Sequence, residues 1–385
     1  MTNDPLSLRH FHQISGLLLL LLAWSVNAAT HQVTPQDEWF KLLSGNGLNP
    51  GDELVLTAGT YSDPRLLKIS HQGTKENPII IRGEKGTVFQ RPDQRQNSIN
   101  IVGAQHLILR NLEITGGASG IRIYATGQMA ASHITLENLH LHHIGGVGVT
   151  CNHDGNIYRG MVFRNNHIHH TGGHGEALYL GCNNKSDGTT PGYITGAIIE
   201  GNYIHHLNGP KISQGDGIEL KDGSHGNMIR FNVIHDTRYP GITAYGTDGR
   251  SPNIIENNLI WNTGDNGIQV ASEAIVRNNI ISRAGGAGIR SMPHQSALPG
   301  DLLIEHNTFV SSRQSDIRIS GNTGSPINII NNRIRSSSLR IENEKGIQKN
   351  NNSQAAKGAV PFAPKRVPAW TPDPTFHLLR FLESP

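Results

Sequence analysis

The chain has 385 residues, with 33 Lys and Arg against 30 Asp and Glu and a formal charge of +3. Charges of both signs are scattered, and no basic tract of the kind that follows a phosphate backbone occurs, which argues against nucleic acid as a partner. With 44 Gly and 5% aromatic residues, the composition favours short strands and tight turns over packed helices.

Arg9 and His10 precede an apolar run from Gly16 to Trp24 that closes on Val26-Asn27-Ala28, the pattern of an export signal over residues 1–29. That run is too short to span a bilayer, and no later stretch is apolar enough. The mature chain is therefore expected to be secreted or periplasmic, with no membrane span. Thr34-Pro35-Gln36-Asp37 then reads as a helix start, with Thr34 as N-cap and Pro35 in the first turn. A short helix within 30–45 would plug the open end of a repeat structure.

Strand-like runs at Glu53 to Thr57, Ala58 to Tyr61 and Asn77 to Arg82 open the region that follows. From Leu107 the repeat is explicit. Leu112, Leu139, Asn166, Asn202, Asn232, Asn258, Asn279, Asn307 and Asn332 hold one position, at spacings from 21 to 36 residues. Such a loose period with three-to-five-residue strands predicts an all-β, single-domain right-handed parallel β-helix over 46–342, whose turns absorb the length variation. The Asn row is expected to stack and bond along the axis. Residues 343–385, rich in Pro, Ala and Lys, are expected to form an extended tail, and a monomer is expected.

Two residues before each ladder position from Leu112 to Asn307 stand Arg110, Glu137, Arg164, Glu200, Arg230, Glu256, Arg277 and Glu305, alternating in sign. In parallel register each charge would lie between two opposite ones, marking the second strand of every coil as scaffold. The first strand differs. Its outward residues read Arg122, Gly148, Tyr179, Glu219, Thr243, Gln269 and Arg290, a mixed face with no ladder. Long turns, Cys182 to Gly196 and Asn208 to Gly215, flank Glu219 and Lys221 and could wall a groove.

Cys151 and Cys182 each follow an aliphatic pair, Val147/Val149 and Leu178/Leu180, at the same offset, which would stack them at disulfide distance. A disulfide is expected, with two buried thiols as the alternative. His142, His169, His205 and His235 recur after the third strand's aliphatic residue, with His143, His170 and His206 beside them. They read first as a polar ladder produced by stacking, and second as a metal or substrate site.

Glu219 and Lys221, with Asp222 next in sequence and Tyr179 and Tyr245 one coil to either side, form the sharpest cluster, against the alternative of a surface ion pair. The opening segments Pro50-Gly51-Asp52, Gly59-Thr60-Tyr61, Gly73-Thr74, Asn77-Pro78-Ile79 and Arg82-Gly83 resemble the start of the chondroitinase B/alginate lyase family of β-helix polysaccharide lyases. The central coil, Gly217 to Gly226 with Asn232 and Gly241-Ile242, is similar to the mannuronan C5-epimerases. That similarity sets Glu219 on the catalytic Asp, Leu220 on a Pro, Lys221 on a His and Asp222 on a closing acid. This chain lacks the Pro and the His, and the catalytic Lys of the lyases falls near Gly223.

The resemblance implies a carbohydrate-active protein. The expectation drawn from it is an exported lyase that cleaves a uronic-acid-containing polysaccharide by β-elimination, with a C5-epimerase or a non-catalytic polysaccharide-binding solenoid as alternatives. Lys221, Glu219, Tyr245 and Tyr179 would be catalytic, and Arg290, Gln269, Thr243 and Arg122 would hold the acidic substrate. No cofactor is required by the sequence; calcium, through Asp216 and Asp222, is the candidate.

Overall fold

The computed structural model describes residues 28–127, 130–183, 191–334 and 339–354. Apart from residues 28 and 29, the expected export signal lies outside them, as does the part of the expected tail beyond residue 354. Three parallel sheets run the length of the described chain, and successive coils lay one short strand in each. The coil at the centre shows the cycle: Ile218–Leu220 in the first sheet, Met228–Arg230 in the second, Val233–Thr237 in the third, then Ile242–Ala244 back in the first. Side chains alternate in and out along each strand, so the inward Ile and Leu of every coil meet in one core running from Val33 to Ile329. Each such side chain contributes roughly 1.5–3 kcal/mol by burial.

The corner between second and third strands is made by a single left-handed residue. Asn111, Asn138, Asn165, Asn257, Asn278 and Asn331 adopt φ between 53° and 58° there, a region Asn tolerates better than most residues. The ladder residue follows immediately. From Asn166 to Asn352 each ladder Asn donates Nδ2–H to the Oδ1 of the next at 2.9–3.0 Å, and that same Oδ1 accepts the preceding residue's backbone N–H. Buried amides are thereby paired along the axis, as the repeat predicts. Asn352 carries this ladder beyond the expected boundary at 342. Ile347–Asn350 and Ser353–Gln354 add strands to the second and third sheets, so the solenoid continues into the segment expected to be tail.

The N-terminal end also departs from expectation. Thr30–Val33 is a strand paired with Glu53–Leu56, and the helix is one turn, Trp39–Leu43, preceded by Glu38. Thr34 does not cap it. Instead the Thr34 backbone N–H donates to Asp37 Oδ2 at 2.7 Å and Thr34 Oγ1 accepts from Gln36 N–H, closing a local turn before the helix begins. The plug itself is present: Trp39 packs edge-on against Tyr61 and Phe89 with centroids 5.3 and 5.8 Å away. No helix among the described residues is long and apolar enough to cross a membrane.

The charge ladder lies in register on the second sheet. Glu200 is held from both sides, by Arg164 Nε at 2.6 Å and Arg230 Nη2 at 2.7 Å. At the N-terminal end Arg82 and Arg110 are neighbours of like sign, and Glu53 serves both, at 2.8 and 3.6 Å. These side chains are partly solvated, so Arg230→Gln is expected to cost about 0.5–1 kcal/mol. A denaturant melt beside an activity assay checks this: a small fall in midpoint with unchanged turnover is the expected result, and lost turnover at an unchanged midpoint would contradict it.

Candidate active site

The outward row of the first sheet reads, in hydrogen-bonded register, Asn100, Arg122, Thr150, Tyr179, Glu219, Thr243, Gln269, Arg290 and Arg318. Thr150 occupies the place expected for Gly148. Val149, not Val147, pairs with Leu178, so that coil is shifted by two residues from the sequence alignment. The shift separates the cysteines. Cys151 turns inward opposite Leu180, whereas Cys182 lies two residues further along its own coil. Both are buried thiols rather than the expected disulfide, and burial pushes the Cys151 thiol far above its ordinary range.

Ile218 and Leu220 are core residues, which forces Glu219 and Lys221 to the opposite face of the strand. They are nevertheless 3% exposed each, so the simple surface-pair alternative fails. Lys221 Nζ donates to Glu219 Oε1 at 2.5 Å and to the Tyr245 hydroxyl at 3.0 Å, and that hydroxyl donates to Glu219 Oε1 at 3.1 Å, closing a triangle. The Tyr179 and Tyr245 rings lie 4.5 and 4.8 Å from the ammonium. All four expected catalytic residues therefore meet. Tyr179 is only partly buried and stands in the row between Thr150 and Glu219.

Two residues sequence reasoning passed over join them. Glu176 lies two residues before Leu178, as Asp216 lies two before Ile218, so the two acids stack. Oxygens of Glu176, Asp216 and Glu219 come within 4.8 Å of one another. Glu176 is fully buried, and neither of its carboxylate oxygens has a hydrogen-bond partner among the described residues; His174 Nδ1 stands 4.0 Å away. Burial, followed by the Glu219 charge, pushes Glu176 up to about 7 and raises Asp216 well above the usual carboxylate range. Asp216 accepts a 2.6 Å bond from Thr243 Oγ1. Of the two expected metal ligands, Asp216 belongs to the converging group with Glu176 and Glu219, whereas Asp222, also buried, does not.

The second addition, His294, stands edge-on to Tyr245 with centroids 4.1 Å apart. Burial, then Lys221, lowers its basicity. It sits on the long turn between Ala287–Ser291 and Leu302–Glu305, whose length was the available signal. Burial also raises both phenols, with Glu219 the next cause.

Of the flanking turns, Asn208 to Gly215 lies beside Glu176, and residues 184–190 of the Cys182 to Gly196 turn lie outside the described residues. Ser213 and Gln214 N–H groups bond to the Gly173 and His174 carbonyls, walling the side of Glu176. Within the other turn Tyr193–Thr195 is a strand paired with Ile157–Arg159 rather than open loop. Of the expected substrate contacts, Thr243 is engaged with Asp216, and Gln269 accepts from Asn266 Nδ2 at 3.0 Å. Arg122 lies against Tyr124 and Arg290 donates to Ser320 Oγ, each three coils from Glu219.

A family model described as a right handed beta helix region matches residues 161–334. The protein is a right-handed parallel β-helix. Among solved β-helices, an alginate lyase from Paenibacillus sp. str. FPU-7 aligns over 84% of this chain and 99% of its own, at 20% identity and a TM-score of 0.53. The PL6 family polysaccharide lyase Pedsa3628 from Pseudopedobacter saltans aligns over 86% of this chain and 94% of its own, at 15% identity and a TM-score of 0.54. At such identities the likeness is one of fold. No curated protein matches the sequence.

Proposed function

We propose that this β-helix is an exported polysaccharide lyase that cleaves a uronic-acid-containing polymer by β-elimination. The observation that carries the reading is the buried triangle of Glu219, Lys221 and Tyr245 at the middle of a polar row, with Arg122 and Arg290 about 14 Å to either side at a coil rise of about 4.8 Å. A polyanion lying across the coils would meet cations at both ends and the chemistry between them.

Elimination needs the uronate carboxylate neutralised, a base at C5 and an acid for the oxygen leaving C4. Glu176, neutral below about 7, would donate a hydrogen bond to the uronate carboxylate. Lys221 passes its proton to Glu219 across their short contact, which removes two buried charges at once, and the freed amine takes the C5 proton. The C5–H electron pair forms the C4–C5 double bond as the C4–O bond breaks. Tyr179, which stands in the row, protonates the departing oxygen and regains a proton from Lys221.

A second reading of the first step rests on the convergence of Glu176, Asp216 and Glu219, an all-oxygen set that would suit calcium as the neutralising cation. Incubation of mature protein with alginate, pectate and glycosaminoglycans tests the function. Ultraviolet absorbance from an unsaturated product is expected, and addition of EDTA or calcium separates the two ways of neutralising the carboxylate. Inverted uronate configuration without absorbance would make the protein an epimerase; binding with neither would leave a non-catalytic solenoid.

A further inference from the structure

The third sheet carries a second cluster, on a different face of the coil from Glu219. His140, His167 and Tyr203 share one outward column, and His142, His169, His205 and His235 share the next. The strands His140–His142 and His167–His169 thus each present a His-x-His pair on one face, and stacking brings the two pairs together. Rings along the second column lie parallel, His142 over His169 at 5.4 Å and His169 over His205 at 4.9 Å. Hydrogen bonds run diagonally between columns: His140 Nε2 contacts His169 Nε2 at 2.8 Å, and His169 Nδ1 contacts His170 Nδ1 at 2.6 Å.

We propose that His140, His167 and His169 form a binding site for a borderline divalent transition metal of the zinc, nickel or copper class. One ring nitrogen from each lies within 4.8 Å of the other two. Three imidazoles on a tetrahedral ion, with metal–nitrogen bonds of about 2.0–2.1 Å, would place those nitrogens about 3.3 Å apart, within reach of small ring rotations. An all-nitrogen donor set suits such ions and disfavours calcium or magnesium, which require oxygen. Ring stacking holds the imidazoles in place before an ion arrives.

The proton arrangement accommodates binding. Each N–H···N contact of the apo array needs one proton, and one tautomer set that supplies both places His169 Nε2–H toward His140 and His170 Nδ1–H toward His169. When an ion takes the Nε2 lone pairs of His140 and His169, His169 carries its proton on Nδ1 and donates it to His170, which shifts its own proton to Nε2. His170 is exposed, so water can carry that exchange, and the His169–His170 pair loses no proton. His170 then orients His169 as the outer partner that ligating histidines ordinarily have.

Tag-free full-length protein titrated with CoCl2 tests the site, because a four-coordinate cobalt–imidazole centre develops intense visible bands that a hexahydrated ion lacks. One equivalent is expected to bind and to be displaced by ZnCl2. His140→Gln and His169→Gln should each weaken zinc binding at least about tenfold, whereas His306→Gln, on the second sheet's edge, should not. Wild-type protein that binds neither ion stoichiometrically overturns the proposal, as does unchanged affinity in both ligand variants. Should one variant fail to fold, the other and the wild-type titration still decide.

Discussion

Glu219→Gln is expected to lower turnover of an acidic polysaccharide by at least about a hundredfold, the usual scale for a group that handles a proton in the reacting step. The substitution keeps the size of the side chain and can still accept from Lys221 and Tyr245, so packing is largely retained. What it removes is the carboxylate that relieves Lys221 of its proton. Lys221→Met should lose at least as much activity, since it deletes the proposed base. The two variants differ in stability. Lys221→Met leaves Glu219 buried at 3% exposure with the Tyr245 hydroxyl as its hydrogen-bond donor among the described residues, and breaking a buried pair from one side costs on the order of 3–5 kcal/mol. Glu219→Gln leaves the Lys221 ammonium buried without its counter-charge, but the amide oxygen still accepts from it, so the loss is smaller. Assays must therefore be run below both unfolding transitions, checked by circular dichroism. Full activity in a folded Glu219→Gln protein would remove the triangle from the mechanism.

The solenoid was legible because its signals repeat. A ladder Asn, a charge two residues earlier and alternating aliphatics each recur coil after coil, so an error at one coil is corrected by its neighbours. Register failed where the repeat offers no such check: Val147-Gly148-Val149-Thr150-Cys151 alternates equally well in two frames. The frame with Cys151 inside won because a thiol packs opposite Leu180 as a small apolar group. The disulfide expectation fell with the wrong frame.

The site was legible in part for a related reason. Glu219 and Tyr179 lie on strands, and Lys221 and Tyr245 follow their strands directly, where alternation still states which way a side chain points. Glu176 and His294 lie on turns, where it does not. Burial was also hidden: outward on a strand reads as exposed until the covering turns are placed. The histidine columns were visible as repeats, but a search for helical i,i+4 spacing overlooks a strand, on which i,i+2 residues share a face and stacked coils supply the third ligand.

Glu176→Gln is expected to stabilise the protein at neutral and alkaline pH and to flatten its pH dependence. Glu176 titrates at about 7 in the folded chain, against an ordinary value of 4.5. Below about 4.5 it is protonated in folded and unfolded chains alike and contributes no pH dependence. Between 4.5 and 7 the unfolded chain has released the proton while the folded chain keeps it, so stability falls as pH rises; above 7 the loss is complete. The full span amounts to roughly 3 kcal/mol. Asp216, raised in the same way and facing the same space, adds a slope of the same sign that the variant retains. Urea midpoints measured in EDTA at pH 4, 6 and 8 should show wild type and variant close together at pH 4 and well separated at pH 8. The variant amide can still donate a hydrogen bond to a uronate carboxylate. Its turnover should therefore hold above pH 7, where wild-type Glu176 loses its proton and its role. A midpoint difference that stays constant from pH 4 to 8 would mean that Glu176 ionises freely in the folded protein, and the neutral-acid account of carboxylate binding would give way to the calcium one.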